Sequence, residues 1–209
     1  MKRRKAIQSL TALLGYSMSP VMITGFASSC KEAQKEIGWK PNFFEETDMP
    51  VLAKLGEAFL PRTETPGAID VDAHLFVDVF LDRVATPDDK EIVKKGFAIW
   101  KNAFQKSLGD KPEEALQEDF DKNLNDHYYE ETIHNQNIAD LLSKEPPSSG
   151  PELEKYKIYN FLGRFKALLM LGYFASEEVG ENVLSYLPLP GDYEGCIPVS
   201  SVGNSWSIS

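Results

Sequence analysis

One long apolar stripe, over residues 152–171, constrains the fold of this chain more than any other feature. Leu153, Tyr156, Tyr159, Phe165, Leu168 and Leu169 recur at helical spacing, and Ile158, Phe161 and Leu162 widen the stripe. A helix with such a face has to bury it against other elements. Ahead of it, helix signals are frequent and strand signals scarce. Over 42–60, Phe44, Leu52, Leu55 and Phe59 fall near helical spacing until Pro61 ends the run. Residues 61–70 read as an ordered turn, and a short helix is expected around Ala73–Arg83. Thr86-Pro87-Asp88-Asp89 is a strong helix start: a capping hydroxyl, proline at the first position, and acids at the positive end of the dipole. Val93, Phe97, Trp100 and Phe104 then share one face until Gly109 stops the helix.

Lys111-Pro112-Glu113-Glu114 starts another helix, with Leu116, Phe120 and Leu124 expected on its inner side. Residues 125–142 are polar and weakly periodic, and 143–151 form a loop by composition. Ser176 caps a last helix that begins Glu177-Glu178 and stops before Pro188. Beyond it the tail has proline, glycine and tyrosine without a period, so it must be held by packing on something else. The expected fold is therefore all-α: an irregular helical domain with an extended Pro/Gly/Tyr-rich C-terminal tail, and no parallel-sheet signature. Three parts follow in order: residues 1–30, a spacer over 31–41, and the helical domain over 42–209.

The first part reads as an export signal. Met1-Lys2-Arg3-Arg4-Lys5 puts cations ahead of a mildly apolar stretch ending at Ser28-Ser29-Cys30. Arg3 and Arg4 match the twin-arginine type, which exports proteins already folded. A membrane span fits less well, because Gln8, Ser9, Thr11, Ser17, Ser19, Pro20 and Thr24 interrupt the run. Cys30 follows a small residue, as lipoprotein processing requires, but Ala27 stands where that signal usually has leucine. Lipidation on Cys30 and simple cleavage nearby both remain open; one acyl-type anchor would tether the protein without inserting it.

Residues 1–30 hold four of the 22 cations and none of the 32 acids, so without them the formal balance falls from −10 to −14. Such a surface repels phosphate backbones, which argues against nucleic acid and for a basic protein partner or simple solubility. Cys30 and Cys196 are the only cysteines, so no internal disulfide framework exists if Cys30 is lipidated or removed. In an oxidising compartment Cys196 is then either buried or free to bond to another chain.

No catalytic constellation stands up, and no cofactor-binding motif occurs. The only metal-like spacing is His127, Glu131 and His134, which an unbroken helix would put on one side. The same residues also describe a wet face in a polar segment, and nothing nearby adds ligands, so no metal is expected. The pairs Asp88-Asp89 and Glu177-Glu178 stand where helix starts favour acids, so capping explains them better than acid–base chemistry. Two other segments are more specific. One is Leu60-Pro61-Arg62-Thr63-Glu64-Thr65-Pro66-Gly67-Ala68, where prolines and a glycine fix the backbone. The other runs from Leu171-Gly172-Tyr173-Phe174 through Pro188-Leu189-Pro190-Gly191-Asp192-Tyr193-Glu194-Gly195-Cys196. Tyrosines among prolines and glycines make rigid, amphipathic surfaces suited to protein contact.

On Arg3-Arg4, the 61–68 turn and the run 168–196, the chain resembles the gluconate 2-dehydrogenase subunit 3 family, and the resemblance covers most of its length. The resemblance implies an accessory subunit with no active site. A large catalytic subunit, similar to glucose–methanol–choline oxidoreductases, would hold FAD, and a c-type cytochrome subunit with haem c would pass electrons onward. The small subunit would supply the twin-arginine signal, carry the catalytic chain to the periplasm and stay bound to it. Pro61, Arg62, Thr63, Thr65, Pro66, Gly67, Tyr173, Phe174, Pro190, Gly191, Tyr193, Gly195 and Cys196 would then belong to, or support, the partner-facing surface. Cys30 departs from a plain member and implies that the chain itself could anchor the complex. A stand-alone periplasmic lipoprotein that binds a ligand or another envelope protein is the alternative reading, and a metal enzyme built on His127, Glu131 and His134 ranks third.

Overall fold

The computed structural model describes residues 40–129, 142–185, 196–198, 200, 204 and 205. The described helices all lie in the compact unit Pro41–Ser209. They are α1 (Met49–Phe59), α2 (Ala73–Arg83), α3 (Pro87–Leu108), α4 (Gln117–Leu124), α5 (Pro151–Phe174) and α6 (Glu177–Asn182), with a π-helical turn at Asn125–Tyr129 after α4. No strand occurs among the described residues. The all-α expectation holds.

Helix α5 is the hub. Its widest contacts are with α3 and then α2, while α1 packs mainly on α4 and α2. Phe161, Leu162, Phe165, Leu169 and Tyr173 of α5 are all buried, so one broad face of the helix is covered. Leu153 and Tyr156, expected in the stripe, are only half-buried. They stand near the helix start, where with Ile92, Pro146 and Pro147 they line an open cleft rather than core. Close approach to α5 requires glycine at two positions. A Cβ on Gly96 of α3 would come 2.5 Å from the Phe161 Cβ, and one on Gly172 of α5 would come 2.7 Å from the Phe76 ring.

The start and stop of α3 follow local chemistry. Thr86 Oγ1 accepts from the Asp89 N–H at 3.2 Å, Pro87 opens the helix, and Gly109 at φ 76° closes it. Phe97, Trp100 and Phe104 then build an aromatic core with Phe120 and Phe161. The Trp100–Phe104 and Phe104–Phe120 ring centroids are 5.3 and 4.7 Å apart. Each such pair adds about 0.5–1.5 kcal/mol beyond burial.

Three boundaries differ from the sequence expectation. Residues 42–48 are not helical, and α1 begins only at Met49, with Pro50 in its first turn. The reason is Asp78 of α2, fully buried, whose carboxylate accepts from the N–H groups of Asn42 (2.8 Å), Phe43 (3.0 Å) and Phe44 (2.9 Å). These bonds hold 42–44 as an irregular entry ahead of α1. Helix α4 begins at Gln117, not near Lys111, and Leu116 is 68% exposed instead of inward. Leu116 is the cap: its N–H donates to Asp119 Oδ2 at 2.9 Å, while buried Ala115 takes the inward place. Lys54 Nζ donates to the Ala115 carbonyl at 2.5 Å, which holds this entry as a turn. Finally, α6 stops at Asn182, where the Val179 carbonyl accepts from both Val183 and Leu184. The Ser205 carbonyl then accepts from Ser185 N–H at 2.8 Å, and the Asn204 side chain donates to the Val183 carbonyl at 2.6 Å.

Candidate partner-docking surface

Between α1 and α2 the chain reverses through residues 60–72. Pro61 has no N–H to continue α1, and the Leu60 carbonyl accepts instead from Ala68 N–H at 2.9 Å. Inside that loop the Thr65 carbonyl accepts from Thr63 N–H at 3.0 Å. Two carboxylates fix the remaining amides. Glu57, near the end of α1, accepts from Arg62 N–H at 2.9 Å and from Ile69 N–H at 3.0 Å. Asp70 accepts from Gly67 N–H at 2.8 Å and from the Arg62 guanidinium at 3.0 Å. Gly67 is a requirement of this packing, because a Cβ there would lie 2.3 and 2.6 Å from the Glu57 oxygens.

A third tie comes from α5. The Tyr173 hydroxyl donates to the Pro66 carbonyl at 2.8 Å, across 107 residues of sequence. The two segments singled out in the sequence therefore meet. Gly67, Ala68 and Tyr173 are buried and support the turn, whereas Pro61, Arg62, Thr63 and Glu64 face solvent and Thr65 and Pro66 are half-buried. Arg62, Thr63, Glu64, Thr65, Pro66, Asp70 and Glu178 line a shallow polar cleft of about 380 Å³. Phe174 is half-buried, edge-on to Tyr173 with centroids 5.4 Å apart.

Cys196 is a free, exposed thiol, followed by Ile197 at 44% exposure. Arg3, Arg4, Cys30, Pro190, Gly191, Tyr193 and Gly195 lie outside the described residues, as do Glu131 and His134. His127 is exposed on the π-helical turn, and its carbonyl accepts from the Tyr159 hydroxyl at 2.7 Å. Among the described residues no group of three or more His, Cys, Asp or Glu side chains is placed to hold a metal ion. No described helix is long and apolar enough to cross a membrane.

Sequence reasoning missed Glu57, Asp70 and Asp78. The first two flank a Pro/Gly turn, and an acid beside such a turn is a signal for carboxylate-to-amide bonding. Asp78 interrupts the buried face that Val77 and Leu81 share, which marks it as a partnered acid. Away from the turn, Lys101 joins Asp48 (2.8 Å) and Glu113 (2.6 Å), tying α3 to the entries of α1 and α4. The hydrogen bond from Lys101 holds the Glu113 carboxyl below its ordinary value. Asp89 is lowered first by the Thr86 hydroxyl and further by Arg164, which reaches it from α5.

The profile of gluconate 2-dehydrogenase subunit 3 proteins matches residues 46–191. The chain belongs to this family. The matched region runs from just before α1 past α6, so it includes the carboxylate-bound turn, Gly172 and Tyr173. By its description the family is a subunit of a dehydrogenase complex, which makes this chain an accessory-type subunit. No curated protein and no solved structure matches the chain.

Proposed function

We propose that this subunit is the non-catalytic companion and export escort of a periplasmic, gluconate-type flavin dehydrogenase that oxidises a sugar or polyol. The large partner carries FAD and performs the oxidation, and a c-type cytochrome with haem c receives the electrons. Arg3 and Arg4 supply the twin-arginine signal on which the folded pair leaves the cytoplasm. Exposed residues of the 61–66 turn, with Phe174 and the tail residues Pro190, Gly191, Tyr193 and Gly195, form the docking face. Gly67 and Tyr173 support it from below. The exposed Cys196 thiol and a cysteine thiol of the large subunit form a disulfide, giving up two protons and two electrons to a thiol oxidant of the oxidising compartment. Lipidation of Cys30 tethers the complex to the membrane surface.

The observation that carries this reading is the hydrogen bond from Tyr173 to Pro66. It joins, inside the family-matched region, two distant segments that the family resemblance assigns to the partner-facing surface. A turn held this rigidly loses little freedom on binding, which favours its use as a recognition surface. The test is replacement of Arg3 and Arg4 by lysine, followed by cell fractionation and affinity purification. Both the subunit and a co-purifying flavoprotein should then stay in the cytoplasm. Normal export of the flavoprotein overturns the escort role, and purification without any flavoprotein overturns the subunit role.

A further inference from the structure

We infer that Glu57 is the positioning residue that holds the 61–69 turn in its docking shape; the inference rests on the reading of that turn as a partner-facing surface. The Glu57 carboxylate reaches both flanks of the turn from α1, at Arg62 N–H (2.9 Å) and Ile69 N–H (3.0 Å), beside the backbone bond from Ala68 N–H to the Leu60 carbonyl (2.9 Å). Between them Thr63 and Glu64 face solvent and Thr65 and Pro66 are half-buried, so core packing fixes the base of the turn at Gly67 and Ala68 but not its tip. Arg62 is 73% exposed, and its pair with Asp70 is the kind of rim contact that holds little on its own.

Glu57 itself is well placed to hold a shape. Its neighbours in α1, Gly56 and Phe59, are buried, and a Cβ on Gly56 would meet Leu169 of α5 at 3.1 Å. The helix that carries the carboxylate is thus locked to the hub of the fold. From that base the carboxylate reaches into space that any side chain on residue 67 would occupy, 2.3 Å from the position of a Cβ. Glu57 and Gly67 form one device: the acid supplies two acceptors, and the glycine leaves room for them. Tyr173 adds a separate tie at Pro66 and does not touch either flank amide. Loss of Glu57 frees the Arg62 and Ile69 amides and loosens the turn while leaving the helices in place, so the cost falls on partner recognition rather than on folding.

The experiment uses the full chain co-expressed with the flavoprotein that purifies with it, and compares Glu57→Ala, Glu57→Gln and the tip variant Thr63→Arg. Amide hydrogen exchange on the free subunit reads the turn directly, circular dichroism reads the fold, and binding rates read recognition. In Glu57→Ala the Arg62 and Ile69 amides should exchange faster, with helix amides and helical content unchanged. Association should slow by roughly tenfold, because binding then requires ordering of the turn. Glu57→Gln keeps one acceptor oxygen and should fall between wild type and Glu57→Ala, which a general loss of folding would not produce. If Thr63→Arg weakens binding while Glu57→Ala binds at the normal rate, Glu57 does not position the turn. If Thr63→Arg binds normally, the turn is not the docking surface, and the reading beneath this inference fails instead.

Discussion

Asp78 and Glu57 perform the same chemical task in opposite surroundings. Each is a helix-borne carboxylate that accepts hydrogen bonds from the backbone amides of a neighbouring loop. Asp78 has no solvent exposure and takes the amides of Asn42, Phe43 and Phe44, so that Phe44 is laid edge-on against Phe97 at 5.3 Å. Glu57 is only half-buried and takes the amides of Arg62 and Ile69 around a solvent-facing tip. In the core the bonds are the only compensation for a desolvated charge, so the clamp is part of the fold. At the surface water can replace them, so the same clamp shapes a loop without being essential to stability.

Removal of the two acids should separate these roles most sharply. Asp78→Ala leaves three amides without their acceptor and should cost about 3–5 kcal/mol, whereas Glu57→Ala should cost about 1 kcal/mol. Urea denaturation of the two variants checks the ratio. Equal costs would dissolve the distinction between a folding clamp and a docking clamp.

A second test stays in α2 with His74, which sits one turn before Asp78. Burial holds its imidazole below the ordinary value of 6.5, against an opposing pull from Asp72, and Nδ1 has no hydrogen-bond partner. Where Asp78 is fully buried and bonded, His74 is half-buried and its buried Nδ1 is without a partner. The unfolded chain takes up a proton below pH 6.5 that the folded state resists. The His74 contribution is therefore complete above that pH and is lost as pH falls toward the depressed folded value. The slope is at most about 1.4 kcal/mol per pH unit. Urea midpoints across that window should show it in the wild type and lack it in His74→Leu; an unchanged slope in the variant would discard the assignment.

The smallest effect is expected at the rim of the turn. Arg62→Ala breaks a pair whose arginine is 73% exposed and should change stability by about 0.5 kcal/mol or less. Thermal melts in low and high salt measure it. A loss comparable with that of Glu57→Ala would mean that the turn is held from outside as much as from α1.

Much of the fold was legible because its signals are local. The bounds of α2, the Thr86 cap and Gly109 stop of α3, and the long α5 follow from period and capping within a few residues. The misplaced starts of α1 and α4 share one cause. Residues 42–44 look helical by spacing, but their amides answer to an acid more than 30 residues away. Leu116 looks inward by type, but its N–H serves as a cap and Lys54 of α1 holds the preceding carbonyl. At the candidate surface the sequence picked out Pro66, Gly67 and Tyr173 but passed over Glu57 and Asp70. Prolines and glycines advertise a turn through their own backbone preferences, while an acid gives no sign of which amide it will meet.

By itself, then, the order of residues determined the helical class, the caps of α3 and α6 and membership of the family. Only the tertiary structure decided that Tyr173 meets Pro66, that Asp78 claims the irregular entry segment of the domain, and that Glu57 spans the turn. Capping and periodicity act over one or two helical turns and are written in neighbouring residues. The partner of a lone carboxylate or hydroxyl is fixed by where packing brings distant helices together, and no short stretch of sequence contains that information.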